Sequence, residues 1–312
     1  MASLTSALAS SHIRPFRAWR DGLAVSRLLE LCFDIEGKSR RSHPFSLEAA
    51  MQQLGRWAQG PFLPGGYIWE EDGKVVGNVS LIRLYYRGRA IMLIANVAVH
   101  PDFRRRGIAR ALMEQAIKSA KEQQVGEIWL QVRAENEGAI VLYSQLGFTI
   151  QAQRTVWYAT TTPQIPNAYT FEVRPLPRDF WHLVRHWLER LHPHPLGWYH
   201  RWDWEQARPG WEMSLWRWIL GIQAFQWISM GGAKPQAALI WFPSPRGEIG
   251  LWLAYPPNAP PQAIIPLLWV ARRHLYHSHR GIYLEHPDGE MADALLDAGF
   301  SAVRTLLWMS LQ

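Results

Sequence analysis

Cysteine is almost absent from this 312-residue chain. Cys32 stands alone, so no intrachain disulfide can form and a zinc site built mainly from thiolates is excluded. Long apolar runs are missing as well: the best candidate, 216–233, is interrupted by Arg217, Gln223 and Gln226. Residues 1–11 lack a basic stretch followed by a sustained apolar core, so they do not read as a signal peptide. These absences predict a soluble cytoplasmic protein with no membrane partner. There is no long basic run either. The formal charge is +7, but outside Lys38-Ser39-Arg40-Arg41 the densest cluster is Arg104-Arg105-Arg106. A localised anion site fits that pattern better than a nucleic-acid tract, and no nucleic-acid-binding motif is present.

The chain is long enough for two ordinary domains. In the first half, 13–19 reads as a strand and 22–33 as a helix capped by Asp21. A polar loop follows over 34–45, then a helix from about 46 to 58 with Ser46 as its N-cap. Residues 67–71, 74–84 and 91–99 form three antiparallel strands, the first two joined at Asp72-Gly73. The third is almost wholly apolar, as expected of a central strand covered on both faces. A helix to about Lys121 comes next, then a strand over 127–132, parallel to 91–99 because a helix connects them. A helix over 135–146 and a strand over 148–159 complete the series.

Between the third strand and its helix lies Val97-Ala98-Val99-His100-Pro101-Asp102-Phe103-Arg104-Arg105-Arg106-Gly107-Ile108-Ala109. A basic turn leading into a helix leaves backbone N–H groups from about Arg105 to Ala109 free to converge on an anion. Gly107 lets the chain approach closely, and the arginines add charge-assisted hydrogen bonds. The helix N-terminus contributes up to ~2 kcal/mol when partly buried. The segment is a socket for phosphate.

Arg104-Arg105-Arg106-Gly107-Ile108-Ala109 resembles the R/Q-x-x-G-x-G/A acyl-CoA signature of the GNAT superfamily of N-acetyltransferases. Glu135-Asn136-Glu137-Gly138-Ala139-Ile140-Val141-Leu142-Tyr143-Ser144-Gln145-Leu146-Gly147-Phe148 is similar to the N-x-x-A-x-x-L-Y-x-x-x-G-F segment of the same family, and the order of elements agrees. The resemblance covers about the first 160 residues and implies an acyl-CoA-dependent acetyltransferase with acetyl-CoA as acyl donor. It implies that the strands ending near Val99 and Val132 splay, so that the backbone of Val97 and Val99 pairs with the pantetheine arm. Arg104, Arg105, Arg106, Gly107, Ile108 and Ala109 would hold the pyrophosphate, and Asn136 and Tyr143 would complete the cofactor site. Tyr143 would give a proton to the departing thiolate; the alternative is a core tyrosine. Asn136 serves equally well as a helix-start residue. No carboxylate lies on the strand before the loop, and Asn96 cannot act as a base, which leaves Glu36, Glu70, Glu71 or a relayed water. Cys32 falls on the distant first helix, favouring direct attack over an acyl-enzyme route.

The second half echoes the first. Val173, Leu253, Ile282 and Ala298 correspond to Ile13, Ala98, Ile128 and Leu146, at offsets of 160, 155, 154 and 152 residues. A steady offset marks a tandem duplication. In that register Arg104, Gly107 and Ala109 fall opposite Ala259, Gln262 and Ile264, beside prolines that lack N–H donors, and Tyr143 falls opposite Leu295. The fold class is therefore α/β (α+β in some schemes), with two GNAT-like domains, each a mixed, mainly antiparallel sheet flanked by helices. The acyl-CoA domain spans 12–160, a linker 161–169, and a degenerate copy 170–312. A tryptophan-rich stretch, Trp198 to Trp227, reads as core packing or as a pocket wall. His182 and His186, with His192, His194 and His200 nearby, read as turn packing before metal ligation.

The expected activity is transfer of an acetyl group from acetyl-CoA to the primary amine of a small molecule or peptide by direct attack. A non-catalytic acyl-CoA or ligand sensor is the alternative. Monomer and homodimer both remain open.

Overall fold

A computed structural model describes residues 12–33, 65–86, 88–160, 171–192, 196, 204–243, 248–276 and 281–312. The expectations for the loop at 34–45, the helix at 46–58, the linker at 161–169 and Glu36, His194, Trp198, His200 and Trp202 lie outside these residues.

The first helix begins earlier than its apolar spacing predicts. After the short strand β1 (Ile13–Pro15), helix α1 spans Ala18–Phe33, so Trp19 is helical, and Asp21 sits inside the first turn, not ahead of it. Asp21 accepts the Arg17 N–H at 2.8 Å and both terminal nitrogens of Arg14 at 2.8 Å, and is 2% exposed. A carboxylate that reaches back to the residue before the helix caps it from within, which spacing alone does not reveal. Those bonds, Arg14 first, hold the Asp21 carboxyl below its ordinary range against the opposing effect of burial.

Four further strands follow: β2 (Gly65–Glu71), β3 (Lys74–Tyr86), β4 (Arg89–Val99) and β5 (Glu127–Arg133). β1 to β5 lie side by side in chain order, antiparallel except for the β4–β5 pair. Helix α2 (Ile108–Glu122) makes the crossover between those two. α1 buries Val25, Leu28 and Leu29 against Ile68 and Ala98 on one face of the sheet. On the other, α2 rests on Gly77, where a Cβ would stand 2.9–3.0 Å from Leu112, Ile108 and Trp69. Only glycine lets the helix settle that close.

Helix α3 (Glu137–Gln145) and strand β6 (Thr149–Ala159) end the first half. The second repeats its order: β7 (Glu172–Pro175), α4 (Trp181–Leu191), α5 (Trp211–Ile219), β8 (Phe225–Gly231), β9 (Lys234–Trp241), β10 (Ile249–Ala254), α6 (Ile265–Leu275), β11 (Ile282–Pro287), α7 (Ala292–Asp297) and β12 (Phe300–Leu311). β10 and β11 are parallel, joined by α6 as β4 and β5 are by α2.

Two compact units result, and they are not the two sequence halves. One comprises Met1–Gln131, Gly138–Thr149 and Met309–Gln312, the other Val132–Glu137 and Ile150–Trp308. β6 belongs to the second because it pairs with β11 from Tyr158↔Tyr283 to Arg154↔Pro287. Strand pairing rewards edges that match, not chain order.

The tryptophans of the second unit do not act together. Trp204 packs against Trp252 and His192, but Trp211, Trp216 and Trp218 on α5 are 60–78% exposed, against the core reading. His182 and His186 lie on the solvent side of α4, and among the described residues no group of three His, Cys, Asp or Glu side chains could hold a metal ion.

The interior of this unit also carries a polar network. Tyr255 and His286, each 1% exposed, meet at 2.5 Å, and Tyr255 donates to Glu290 at 3.0 Å. Arg190 pairs with Glu290, and Arg154 with Glu285. Burial, then the charges of Arg154 and Arg190, push His286 down from 6.5 to about 3. The unfolded chain therefore binds a proton below pH 6.5 that the native state refuses until about pH 3, so His286 costs stability as pH falls through that window. Stability measured by urea unfolding is expected to fall by up to about 1.4 kcal/mol per pH unit from this residue between pH 6 and 4, and His286→Gln is expected to flatten that slope.

Candidate active site

β4 and β5 begin as ordinary parallel neighbours, paired from Ile91↔Glu127 to Ile94↔Leu130, and then part. Both strands continue, β4 to Val99 and β5 to Arg133, without further pairing to each other. The edge of β4 at Val97 and Val99 is thereby unpaired by β5, and its backbone groups other than the Val99 carbonyl, which accepts from Arg104 and Cys32, are available to an extended ligand.

A bulge sits where the strands part. Between β3 and β4 the register moves from Asn78↔Ala98 to Ser80↔Ala95, one extra residue on β4, and Asn96 takes φ +52°. The buried Asn78 amide donates to the Asn96 carbonyl at 2.8 Å, and the Asn96 amide reaches Ser80 Oγ at 3.3 Å. Sequence reading considered Asn96 only as a failed base. Its signal was available: asparagine tolerates the left-handed region, and a polar residue inside an apolar strand needs a partner.

After β4 the chain turns sharply. His100 takes no side-chain role beyond the turn, its Nδ1 accepting the Asp102 N–H at 3.4 Å in the 3-10 segment Pro101–Phe103. Arg105 and Gly107 are both left-handed, at φ +65° and +80°. Among the described residues, and apart from its chain neighbours, no atom lies within 4 Å of the place a Gly107 Cβ would occupy, so the glycine is demanded by conformation rather than by crowding. The first intrahelical bond of α2 runs from Ala111 N to Gly107 O, and no side chain caps the helix. The amides of Ile108, Ala109 and Arg110 are left without an intrahelical acceptor, which is the anion-binding end of a helix.

The arginines divide. Arg104 Nε donates to Val99 O at 3.2 Å, while Arg106 stacks on Phe103 at 4.8 Å and faces Glu71 at 3.6 Å. Arg105 is exposed. Arg110 reaches across to Gln145 on α3. Two residues before Gln145, Tyr143 is 7% exposed, its ring edge against Phe148, and no described residue hydrogen-bonds its hydroxyl. Burial pushes that phenol up to about 12, so it is a proton donor across the neutral range. Asn136 lies at the turn after β5, in the other compact unit, where its N–H bonds Arg133 O at 3.0 Å.

Two expectations change. Cys32 is not distant: its thiol donates to Val99 O at 3.4 Å, beside Arg104, because α1 crosses the sheet towards the end of β4. Burial pushes the thiol up, against a smaller opposing effect of Arg104, which keeps it protonated and a poor nucleophile. Nor is Glu70 merely solvated at a turn. It is held by Arg14 at 2.5–2.7 Å and by Arg20 at 3.3 Å.

Residues 25–148 match the model of the acetyltransferase (GNAT) family. The chain carries a GNAT domain. Over 66 residues the chain is 46% identical to the ribosomal protein bS18 alanine N-acetyltransferase of Escherichia coli K12, covering 21% of this chain and 45% of that protein. An N-alpha-acetyltransferase of Sulfurisphaera tokodaii is 34% identical over 95 residues, 26% of this chain and 54% of that protein. The matches thus span about half the length of these relatives. A GCN5-related N-acetyltransferase from Sphaerobacter thermophilus superimposes with a TM-score of 0.59 at 13% identity, covering 96% of this chain and 94% of that one. A tandem GNAT protein from the clavulanic acid biosynthesis pathway gives 0.51 at 16% identity, covering 96% and 97%. At such identities these structures show the fold alone.

Asn78→Leu keeps the volume of the side chain but removes the donor that holds the bulge of the GNAT domain. A buried carbonyl left unpaired costs about 1–3 kcal/mol. Urea unfolding is expected to register that loss, and calorimetry a weaker affinity for acetyl-CoA.

Proposed function

We propose that this chain is an acyl-CoA-dependent N-acetyltransferase, moving an acetyl group from acetyl-CoA to an amine by direct attack. The observation that carries this reading is the joint opening of β4 from β5 and the uncapped, left-handed entry to α2 within one GNAT domain. The residues fit the donor. The backbone of Val97 and Val99 would hold the pantetheine, and the amides of Ile108 and Ala109, admitted by Gly107, the pyrophosphate. Arg104 and Arg105 would supply charge, with Arg106 shared between that role and Glu71.

Acetyl-CoA supplies the activated thioester; the rest is proton management. Tyr143, kept protonated by burial, holds a proton at its hydroxyl for the departing sulfur. Glu70 is committed to Arg14 and Arg20, and Glu71 to Arg106, so neither is free to act as a base. Glu36 and a relayed water stay open as the base; an acceptor that enters as its free amine would give a rate that follows that amine's pKa. Cys32, a half-buried thiol whose pKa burial raises, is not used as an acyl carrier in this reading.

The tandem reading, 12–160, 161–169 and 170–312, belongs to the same proposal, with CoA confined to the first half. In the second, β10 and β11 pair only at Ile249↔Ile282 and Gly250↔Tyr283. Past that point the Tyr255–His286 hydrogen bond ties the strand ends together. Prolines at 256, 257, 260, 261 and 266 remove N–H donors before and within the start of α6. The acceptor class follows the relatives' names, an alanine amine of a ribosomal protein and protein α-amines. No observation favours a sensor.

Thiol release from acetyl-CoA, measured across polyamines, amino acids, aminoglycosides and peptide N-termini, tests the reading. Tyr143→Phe is expected to lower kcat about 10²-fold with KM for acetyl-CoA little changed. With the wild type, kcat should show no descending limb between pH 8 and 10, because the phenol stays protonated until about 12. Absence of thiol release with every acceptor overturns the proposal.

A further inference from the structure

The vertex where β4 and β5 part has two faces, and they differ. On the α2 side Ile94 and Leu130, the last residues to pair, are 2% and 1% exposed. On the α1 side Leu93, Ala95 and Gln131 are half-buried. Register assigns them to that side: Ala95 pairs with Ser80, two residues from Asn78, whose partners Ile68 and Ala98 lie under α1, and Gln131 follows Trp129, the partner of Leu93. The open approach to the vertex is therefore from the α1 side. Gln131 is the first residue of β5 beyond the last pair, across the opening from the single methyl of Ala95 and in the same compact unit. Its amide nitrogen is buried without a hydrogen-bond partner, and its carbonyl oxygen, which is not buried, has none among the described residues either. The neighbouring polar groups are engaged: the Asn96 amide reaches Ser80, and Glu127, on the same side of β5, accepts from Trp129 Nε1 at 2.8 Å. An unsatisfied buried donor weakens a fold, so packing gives no reason for an amide here.

We infer that Gln131 binds the acceptor: its carbonyl oxygen accepts one N–H of the attacking amine and so aims the nitrogen lone pair at the thioester carbon. The inference rests on the acetyltransferase reading. There the pyrophosphate sits at the start of α2 and the pantetheine runs back along β4 past Val99 and Val97, which brings the thioester end to the vertex, beside Ala95 and Gln131. In the transfer the nitrogen forms the C–N bond, the C–S bond breaks, the sulfur takes the proton held by Tyr143, and the surplus proton on nitrogen leaves to the base or to water. A carboxamide takes no part in that last step. It orients the amine without competing for its proton.

Alaninamide and butylamine provide the acceptor probes. Gln131→Leu is expected to lower kcat/KM for both amines about tenfold, with KM for acetyl-CoA unchanged and no loss of stability in urea, because the buried nitrogen has no bond to lose. Gln131→Glu keeps an oxygen in place and adds a proton acceptor. It is expected to recover the loss and to flatten the rise of kcat/KM with pH below the pKa of the amine. An unaltered kcat/KM in Gln131→Leu overturns the inference, as does a loss that falls on the KM for acetyl-CoA or accompanies lower stability, or a wild-type pH profile in Gln131→Glu. Contact is also read without turnover. The side-chain amide resonances of Gln131, assigned by their absence from Gln131→Leu, are expected to shift when alaninamide is added to CoA-saturated protein. A shift without thiol release upholds the contact and sinks the acetyltransferase; thiol release without a shift does the reverse, and absence of both overturns both.

Discussion

The first unit depends on a ladder that stops early. Parallel strands gain a hydrogen bond for nearly every residue they align, so β4 and β5 would stay together to their ends unless something paid for their parting. Pairing ceases at Ile94↔Leu130, and the bulge at Asn96 lies just beyond. The extra residue bends β4, Asn78 takes up the carbonyl that the ladder abandons, and the strand edge at Val97 and Val99 is opened. Everything assigned to the donor uses that opening or the turn that follows it.

Helix α2 completes the geometry from the other side. Gly77 allows it to sit directly on β3, which fixes where its N-terminus meets the turn, and the left-handed residues 105 and 107 bring the backbone round to it. The same neighbourhood constrains the two groups most tempting as chemical actors. The Cys32 thiol is held against Val99 and kept neutral by burial, and the Glu70 carboxylate is bound by two guanidinium groups. Burial also keeps the Tyr143 phenol protonated, as its proposed role requires.

The second unit shows the same parting of strands put to a different use. β10 and β11 separate after two residue pairs, yet the space beyond is crossed by Tyr255, His286 and Glu290, with Arg190 against them. A neutral His286 suits this network, and a charged one would confront Arg154 and Arg190. The same parting of strands can therefore be closed by the protein's own side chains.

Much of this was legible in the sequence. The order of elements, the crossover between β4 and β5, the basic turn with Gly107 and the GNAT resemblance all depend on short-range pattern, which periodicity and glycine report directly. What only the tertiary structure decided involves residues distant in the chain. Asp21 caps α1 from inside because Arg14 and Arg17 fold back to it; Cys32 reaches Val99 because α1 crosses the sheet; β6 joins the second unit because β11 offers it a matching edge. Local sequence sets the conformations a segment prefers, but which of two exposed edges or charges it finally meets is settled by packing over the whole chain.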